Sequence, residues 1–210
     1  MFGKIIGTGS YVPKEIVTNK DLAQYLDTDD TWIRERTGVK SRHISGDKET
    51  TADMAVKATE KALENSGLLP DEIDLIIVSS VSSNLVLPST ACFVQKAINA
   101  KNAFCFDINV ACTGFITAYN ISQTFINTGL INTALIIGAE SLSKITDWSD
   151  RKTCILFGDG AGAVVIKKDE NAMFETVMFS NGKNGDALTM ENPFALRKTN
   201  LGKNHQGQFD

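Results

Sequence analysis

Residues 108–139 form a run of 32 positions without a single charged side chain. Asn109, Asn120, Gln123, Asn127 and several threonines keep the run too polar for a bilayer, and nowhere does the chain offer the roughly 18 uninterrupted apolar residues that a membrane span needs. Within it, residues 113–128 read as a helix with Phe115, Ile116, Ala118, Tyr119, Ile121, Phe125 and Ile126 distributed around its whole circumference. A helix on the surface of a two-layer domain keeps one charged face, whereas a helix apolar on every side is enclosed by protein. The pattern predicts a buried central helix, covered by a second layer or a partner subunit, in a fold of more than three layers.

The rest of the 210 residues supplies the frame around that helix. With 42% hydrophobic and 22% charged residues, the chain has material for one globular domain or one and a half. Short apolar runs without alternation recur at Lys4-Ile5-Ile6-Gly7, Leu75-Ile76-Ile77-Val78, Phe104-Cys105-Phe106, Leu135-Ile136-Ile137 and Ala163-Val164-Val165-Ile166. Such runs read as strands covered on both faces. Ala52, Ala55, Val56, Thr59, Ala62 and Leu63 form one face of an intervening helix that Gly67 ends. Strands alternating with helices in this way predict an α/β fold with a largely parallel sheet. Lys167 to Asn171 reads as a loop, residues 174–180 as another strand and Asn181 to Asp186 as a turn. The polar residues from Arg197 onward read as a frayed tail.

Charge and cysteine usage narrow the function. Twenty-one basic against 25 acidic residues give a net charge of -4, and no basic cluster marks a nucleic-acid surface. Met1 is followed by no signal-like apolar run, so a cytoplasmic, non-membrane protein is expected. Cys92, Cys105, Cys112 and Cys154 show no ligand-like spacing, and His43 and His205 cannot complete a zinc site of usual composition. No metal is expected, and Cys92, Cys105 and Cys154 read as free thiols with packing roles.

Cys112 differs. The stretch Asp107-Ile108-Asn109-Val110-Ala111-Cys112-Thr113-Gly114-Phe115 joins a strand to the uncharged helix and places this sulfur at the helix N-terminus. Unpaired N–H groups and the positive end of the helix dipole there favour negative charge, and Ala111 and Gly114 leave room for a substrate carbonyl. A backbone N–H beside the sulfur could hold an oxyanion. Equally, most free cysteines are small core hydrophobes, and position alone leaves both readings open. The segment Phe157-Gly158-Asp159-Gly160-Ala161-Gly162-Ala163 is rich in glycine but lacks the Lys-Ser/Thr of a phosphate loop and runs into a strand. Its glycines are expected to let backbones approach closely, with the nucleophile helix as neighbour.

Four co-linear motifs then carry a resemblance. Ile5-Ile6-Gly7-Thr8-Gly9-Ser10-Tyr11-Val12-Pro13, Trp32-Ile33-Arg34-Glu35-Arg36-Thr37-Gly38-Val39, Cys112-Thr113-Gly114-Phe115 and the glycine-rich segment resemble the β-ketoacyl-acyl carrier protein synthase III family. The match runs from Met1 to about Ile166 and weakly to Met190. The resemblance implies the thiolase-like fold, with two similar αβ halves, paired central helices between two sheets and the nucleophile at the start of one helix. It implies that Cys112 takes an acyl group from acyl-CoA, which malonyl-acyl carrier protein extends by decarboxylative condensation to initiate type II fatty acid biosynthesis. Trp32 matches the residue that stacks on the CoA adenine, Arg36 and Arg151 match positions beside the nucleotide and its phosphates, and Phe157 falls among the substrate-binding residues. Leu87 matches an acyl-pocket position reaching across a homodimer and often filled by phenylalanine, so primers longer than acetyl are expected. Coenzyme A enters as a thioester substrate, and no cofactor is implied.

The family completes its site with a histidine and an asparagine from the second half. The surroundings of His205 do not match that motif, and His43 reads as a loop residue after Arg42. Residues 1–170 are accordingly expected to form the N-terminal thiolase-like half, and residues 171–210 the start of a truncated second half. Such a chain is expected to be a fragment or split partner of a condensing enzyme, with condensation by itself doubtful, or else a degenerate, non-catalytic scaffold. A cysteine hydrolase using Cys112 with His205 ranks last.

Overall fold

In the computed structural model, which describes residues 1–190, each of the five apolar runs is a strand of one sheet. The chain divides into two units, Met1–Glu175 and Thr176–Asp210. The first contains, in order, β1 (Phe2–Tyr11), β2 (Glu15–Thr18), α1 (Asn19–Leu22), α2 (Asp30–Thr37), β3 (Ser41–Ile44) and α3 (Thr51–Ser66). Then follow β4 (Leu75–Ser79), α4 (Thr90–Ile98), β5 (Phe104–Ile108), α5 (Gly114–Asn127), β6 (Thr133–Ser141) and β7 (Asp159–Asp169).

The main sheet has the order β1-β7-β6-β4-β5. β4 pairs in parallel with β5 and β6, while β7 runs antiparallel to both β6 and β1. Only β7 is reversed, which makes the sheet mixed and mostly parallel. The apolar runs are continuous because both faces are covered. Along β4, Ile76 and Val78 join the cluster that α3 and α4 build on one face with Met54, Ala58 and Val94, whereas Leu75 and Ile77 join Ala118 and Ile126 of α5 on the other. β6 divides likewise, Leu135 and Ile137 to the first cluster and Ala134 and Ile136 to the second. Each fully buried aliphatic side chain contributes about 1.5–3 kcal/mol relative to exposure.

Close approach explains the opening motif. α3 lies so near β1 that a Cβ on Gly7 would run into the Ala62 carbonyl oxygen, and one on Gly9 into that of Ala58. α3 itself starts with a capping box between Thr50 and Asp53 and ends at Gly67 in the left-handed region. β2 and β3 pair as a separate two-stranded sheet. Beside it, Leu22 and Ile33 from α1 and α2 pack with Cys154 and Ile155, and Trp32 and Trp148 lie partly buried against them.

Several expectations need correction. α5 spans the predicted helix to within a residue at each end, but it is only half-buried. Its sheet side holds Gly114, Ala118, Ser122 and Ile126, while Ile116 on the other side is 59% exposed, because nothing among the described residues covers it. Phe104 is 43% exposed because β5 is an edge strand, covered less fully than β4. Residues 167–169 continue β7 rather than forming a loop. Residues 174–180 form no strand, and a 3-10 helix, Gly182–Ala187, takes the place of the expected turn. His43 lies in β3, with its Nδ1 2.6 Å from the Pro13 carbonyl. The readings made for residues 197–210, His205 included, fall outside the described residues.

Candidate active site

β4 and β5 end at the same level, Ser79 beside Ile108, and the strand-to-helix turn follows β5 there. After β5 the chain passes through a short 3-10 turn, Ala111–Thr113, directly into α5. Ala111 has φ of 45°, a left-handed conformation rare for a residue with a Cβ and worth ~1–3 kcal/mol of local strain. The Thr113 N–H and hydroxyl both donate to the Val110 carbonyl, at 3.3 and 3.0 Å, closing the turn. Cys112 sits within it, exposed. α5 begins without a side-chain cap and without an acidic residue in its first turn, which leaves its leading N–H groups free to meet an anionic oxygen.

Two contacts set the helix in place. A Cβ on Gly114 would collide with the Ser79 side chain, so the first turn of α5 rests directly on the end of β4. Farther along, buried Gln123 accepts from the Gly3 N–H at 2.7 Å and donates to the Gly3 carbonyl at 2.8 Å. Gln123 stood out in the sequence only as one of the polar residues of the uncharged run, and its partner Gly3 lies 120 positions away.

Three carboxylates near the strand ends hold loops. Asp107 accepts from the Thr90 and Ala91 N–H groups at 2.6 and 2.8 Å, tying β5 to the start of α4. Glu140 accepts from the Val81 N–H and the Ser80 and Ser82 hydroxyls. Buried Asp159 accepts from the N–H and hydroxyl of both Ser45 and Ser143, at 2.6–2.8 Å. The glycine-rich segment is thus anchored at its third residue. Its expected neighbour is corrected too: a Cβ on Gly158 would lie 2.9 Å from Arg42 Cβ and 3.2 Å from the His43 carbonyl, so this glycine abuts β3 rather than α5.

Trp32, Arg36 and Arg151 come together. The Asp29 side chain caps α2 by accepting from the Trp32 N–H at 2.8 Å. The guanidinium carbon of Arg36, one turn on, lies 4.3 Å from the Trp32 ring centre, and that of Arg151 lies 5.0 Å away. Asp27 tethers Arg151 through its carbonyl and a 3.2 Å carboxylate contact. The chemistry gathered here is an indole flanked by two forked cations, suited to a purine and phosphates. Leu87 stands on the loop between β4 and α4, 83% exposed, and Phe157 is half-buried just ahead of Asp159.

Arg42, to which the sequence reading gave no role, links these parts. It is 4% exposed and donates to the Val17 carbonyl, Asn19 Oδ1 and the Ile155 carbonyl at 3.1, 2.7 and 3.2 Å. Burial holds its guanidinium below the ordinary value. The residue joins the segment bearing Trp32 to the one bearing Arg151.

The model of 3-oxoacyl-[acyl-carrier-protein (ACP)] synthase III matches residues 106–182, the span that contains Cys112 and the glycine-rich segment. The β-ketoacyl-[acyl-carrier-protein] synthase III of Clostridium acetobutylicum is 53% identical over 201 residues, which are 93% of this chain and 62% of that protein. That of Clostridium perfringens is 51% identical over 190 residues, 90% of this chain and 58% of the relative. Among solved structures, the 3-oxoacyl-[acyl-carrier-protein] synthase III of Aquifex aeolicus VF5 superposes with a TM-score of 0.79 at 50% identity, covering 80% of this chain and 55% of that one. The Thermus thermophilus enzyme gives a TM-score of 0.85 at 35% identity, covering 98% and 62%. Over about nine-tenths of its length the chain is similar to β-ketoacyl-acyl carrier protein synthase III proteins. Its thiolase-like α/β fold is that of the synthase III structures, and the chain spans about 60% of the length of the curated relatives it matches. No helix among the described residues is long and apolar enough to cross a membrane.

Proposed function

We propose that Cys112 is the acyl-accepting nucleophile of a β-ketoacyl-acyl carrier protein synthase III, and that this chain carries the acyl-transfer half of its chemistry. The observation that carries the reading is the placement of an exposed sulfur between left-handed Ala111 and the uncapped start of α5. The Cys112 thiolate attacks the thioester carbonyl of acyl-CoA. Negative charge on the carbonyl oxygen is met by backbone N–H groups of the turn, and collapse expels the CoA thiolate and leaves an acyl thioester on Cys112. Trp32 stacks on the adenine, while Arg36 and Arg151 engage the phosphates. Leu87 and Phe157 face the acyl chain and pantetheine arm, with Leu87 supplied across a homodimer whose surface includes the exposed loop at Leu85-Val86-Leu87. Decarboxylation of malonyl-acyl carrier protein then yields a carbanion that attacks the Cys112 thioester, releasing CO2 and restoring the thiolate. The cytoplasm, where both thioesters are made, is the corresponding location.

Stabilising the carbanion needs donors beyond those described. His43 is occupied with the Pro13 carbonyl, so the proposal assigns it no step. Incubation with acetyl-CoA followed by intact-mass measurement tests the acyl transfer. An acetyl adduct that vanishes in Cys112→Ser is expected. A folded protein that remains unmodified, or an adduct that persists in the variant, would overturn the assignment.

A further inference from the structure

Cys92 and Cys105 are 13 residues apart and follow no redox spacing, yet the fold brings their sulfurs to 3.5 Å. Cys92 lies in the first turn of α4 and Cys105 is the second residue of β5. Each is half-buried, in contrast to Cys154, which is fully buried, and Cys112, which is exposed. Movement of about 1.5 Å would bring the pair to the ~2.05 Å bond length of a disulfide. The surroundings distinguish the two thiols. The Ser89 hydroxyl donates to the Cys92 sulfur at 3.2 Å, within the first turn of α4. Cys105 keeps its proton, pushed up to about 12 by burial and by Cys92 beside it.

We propose that Cys92 and Cys105 form a reversible oxidation site, which a low-molecular-weight disulfide converts to a covalent bridge between α4 and β5. The exchange balances in two steps. The Cys92 thiolate attacks one sulfur of the reagent and expels its other half as a thiolate, which takes up the proton Cys92 gave up. Cys105 then attacks the Cys92 sulfur of the mixed disulfide, the second thiol leaves carrying the Cys105 proton, and two electrons have passed from the protein pair to the reagent. The bridge would reinforce a junction already in place, because Asp107, two residues beyond Cys105, holds the N–H groups of Thr90 and Ala91. It would tie the loop bearing Leu87 to the strand that leads to Cys112.

The test uses the full chain, folded and treated with oxidised glutathione, then acid-quenched, alkylated and mapped by mass spectrometry. Carrying it out in Cys112→Ser removes the exposed thiol as a competing acceptor. A cross-linked peptide pair containing Cys92 and Cys105, lost on dithiothreitol treatment, is expected. In Cys105→Ser the resolving thiol is gone, so glutathione should remain on Cys92. Glutathione adducts without the bridge in the Cys112→Ser protein, alkylation of both thiols after treatment, or a bridge to Cys154 would each overturn the proposal. The mapping of the Cys112→Ser protein decides by itself if Cys105→Ser fails to fold.

Discussion

Ala111 holds a backbone conformation that a residue with a Cβ adopts only at a cost, and the next residue is the sulfur on which the proposed chemistry rests. Strain of this kind persists where surrounding contacts over-determine it, and here the Thr113 bonds to Val110 and the seat of Gly114 on Ser79 supply them. The indole of Trp32 offers a second residue-scale test. Base stacking on an aromatic ring is worth ~1–3 kcal/mol, so Trp32→Ala should raise the acyl-CoA concentration for half-maximal labelling of Cys112 about tenfold and leave the labelling rate at saturation nearly unchanged. Stopped-flow or quenched labelling over a range of acetyl-CoA concentrations separates the two parameters. The spacing of Trp32 and Arg36 is one helical turn and therefore legible in the sequence. Arg151 joins them only through the fold, because its place depends on the loop that follows β6.

Among the elements, α5 depends on one polar clasp. Removing the Gln123 amide leaves the Gly3 N–H and carbonyl buried without their partner, and Gln123→Ala is expected to lower stability by about 2–4 kcal/mol. Urea denaturation followed by circular dichroism reads this directly, and Gln123→Glu should fare no better, since it keeps the acceptor but loses the donor to the Gly3 carbonyl. The extent of α5 was readable because a long uncharged segment with helical composition admits few alternatives. The four-residue strands β2 and β3 were not, since strands so short, with polar residues such as Glu15, Ser41 and Arg42, carry little period-2 signal. Residues 174–180 erred in the opposite direction. Phe174, Thr176, Val177 and Phe179 are residue types that strands favour, but Val177 and Phe179 are exposed and no neighbouring strand pairs with them among the described residues. The proximity of Cys92 to Cys105 was hidden for a related reason: it arises from α4 folding back on β5, which spacing does not encode.

At the scale of the whole molecule, parts distant in sequence meet around Glu49. Its carboxylate accepts from Lys57 at 2.6 Å and from the Tyr11 hydroxyl at 2.7 Å, while its carbonyl accepts from Lys144 at 2.6 Å. The Lys57 hydrogen bond, with help from Tyr11, holds the Glu49 carboxyl below its ordinary value. A depressed carboxylate stabilises the fold above the unfolded value of about 4.3, and the contribution is lost as pH falls through the folded-state value. Glu49→Gln should therefore melt lower than the parent at neutral pH, by an amount equivalent to ~1 kcal/mol for a partly exposed pair, and the gap should close at a strongly acid pH below the folded-state value. Calorimetry at the two pH values checks the sign. The sheet order followed from the apolar runs only in part: they revealed five strands and their common burial, but not that β7 runs against its neighbours, because direction is set by the connections rather than by composition. The outer side of α5, with Ile116 open to water, has a calorimetric consequence. Unfolding hydrates only what folding had dried, so the heat-capacity increment per residue should fall below the usual ~12–15 cal/mol/K. Any surface that seals this flank should reveal itself through a negative heat capacity of association.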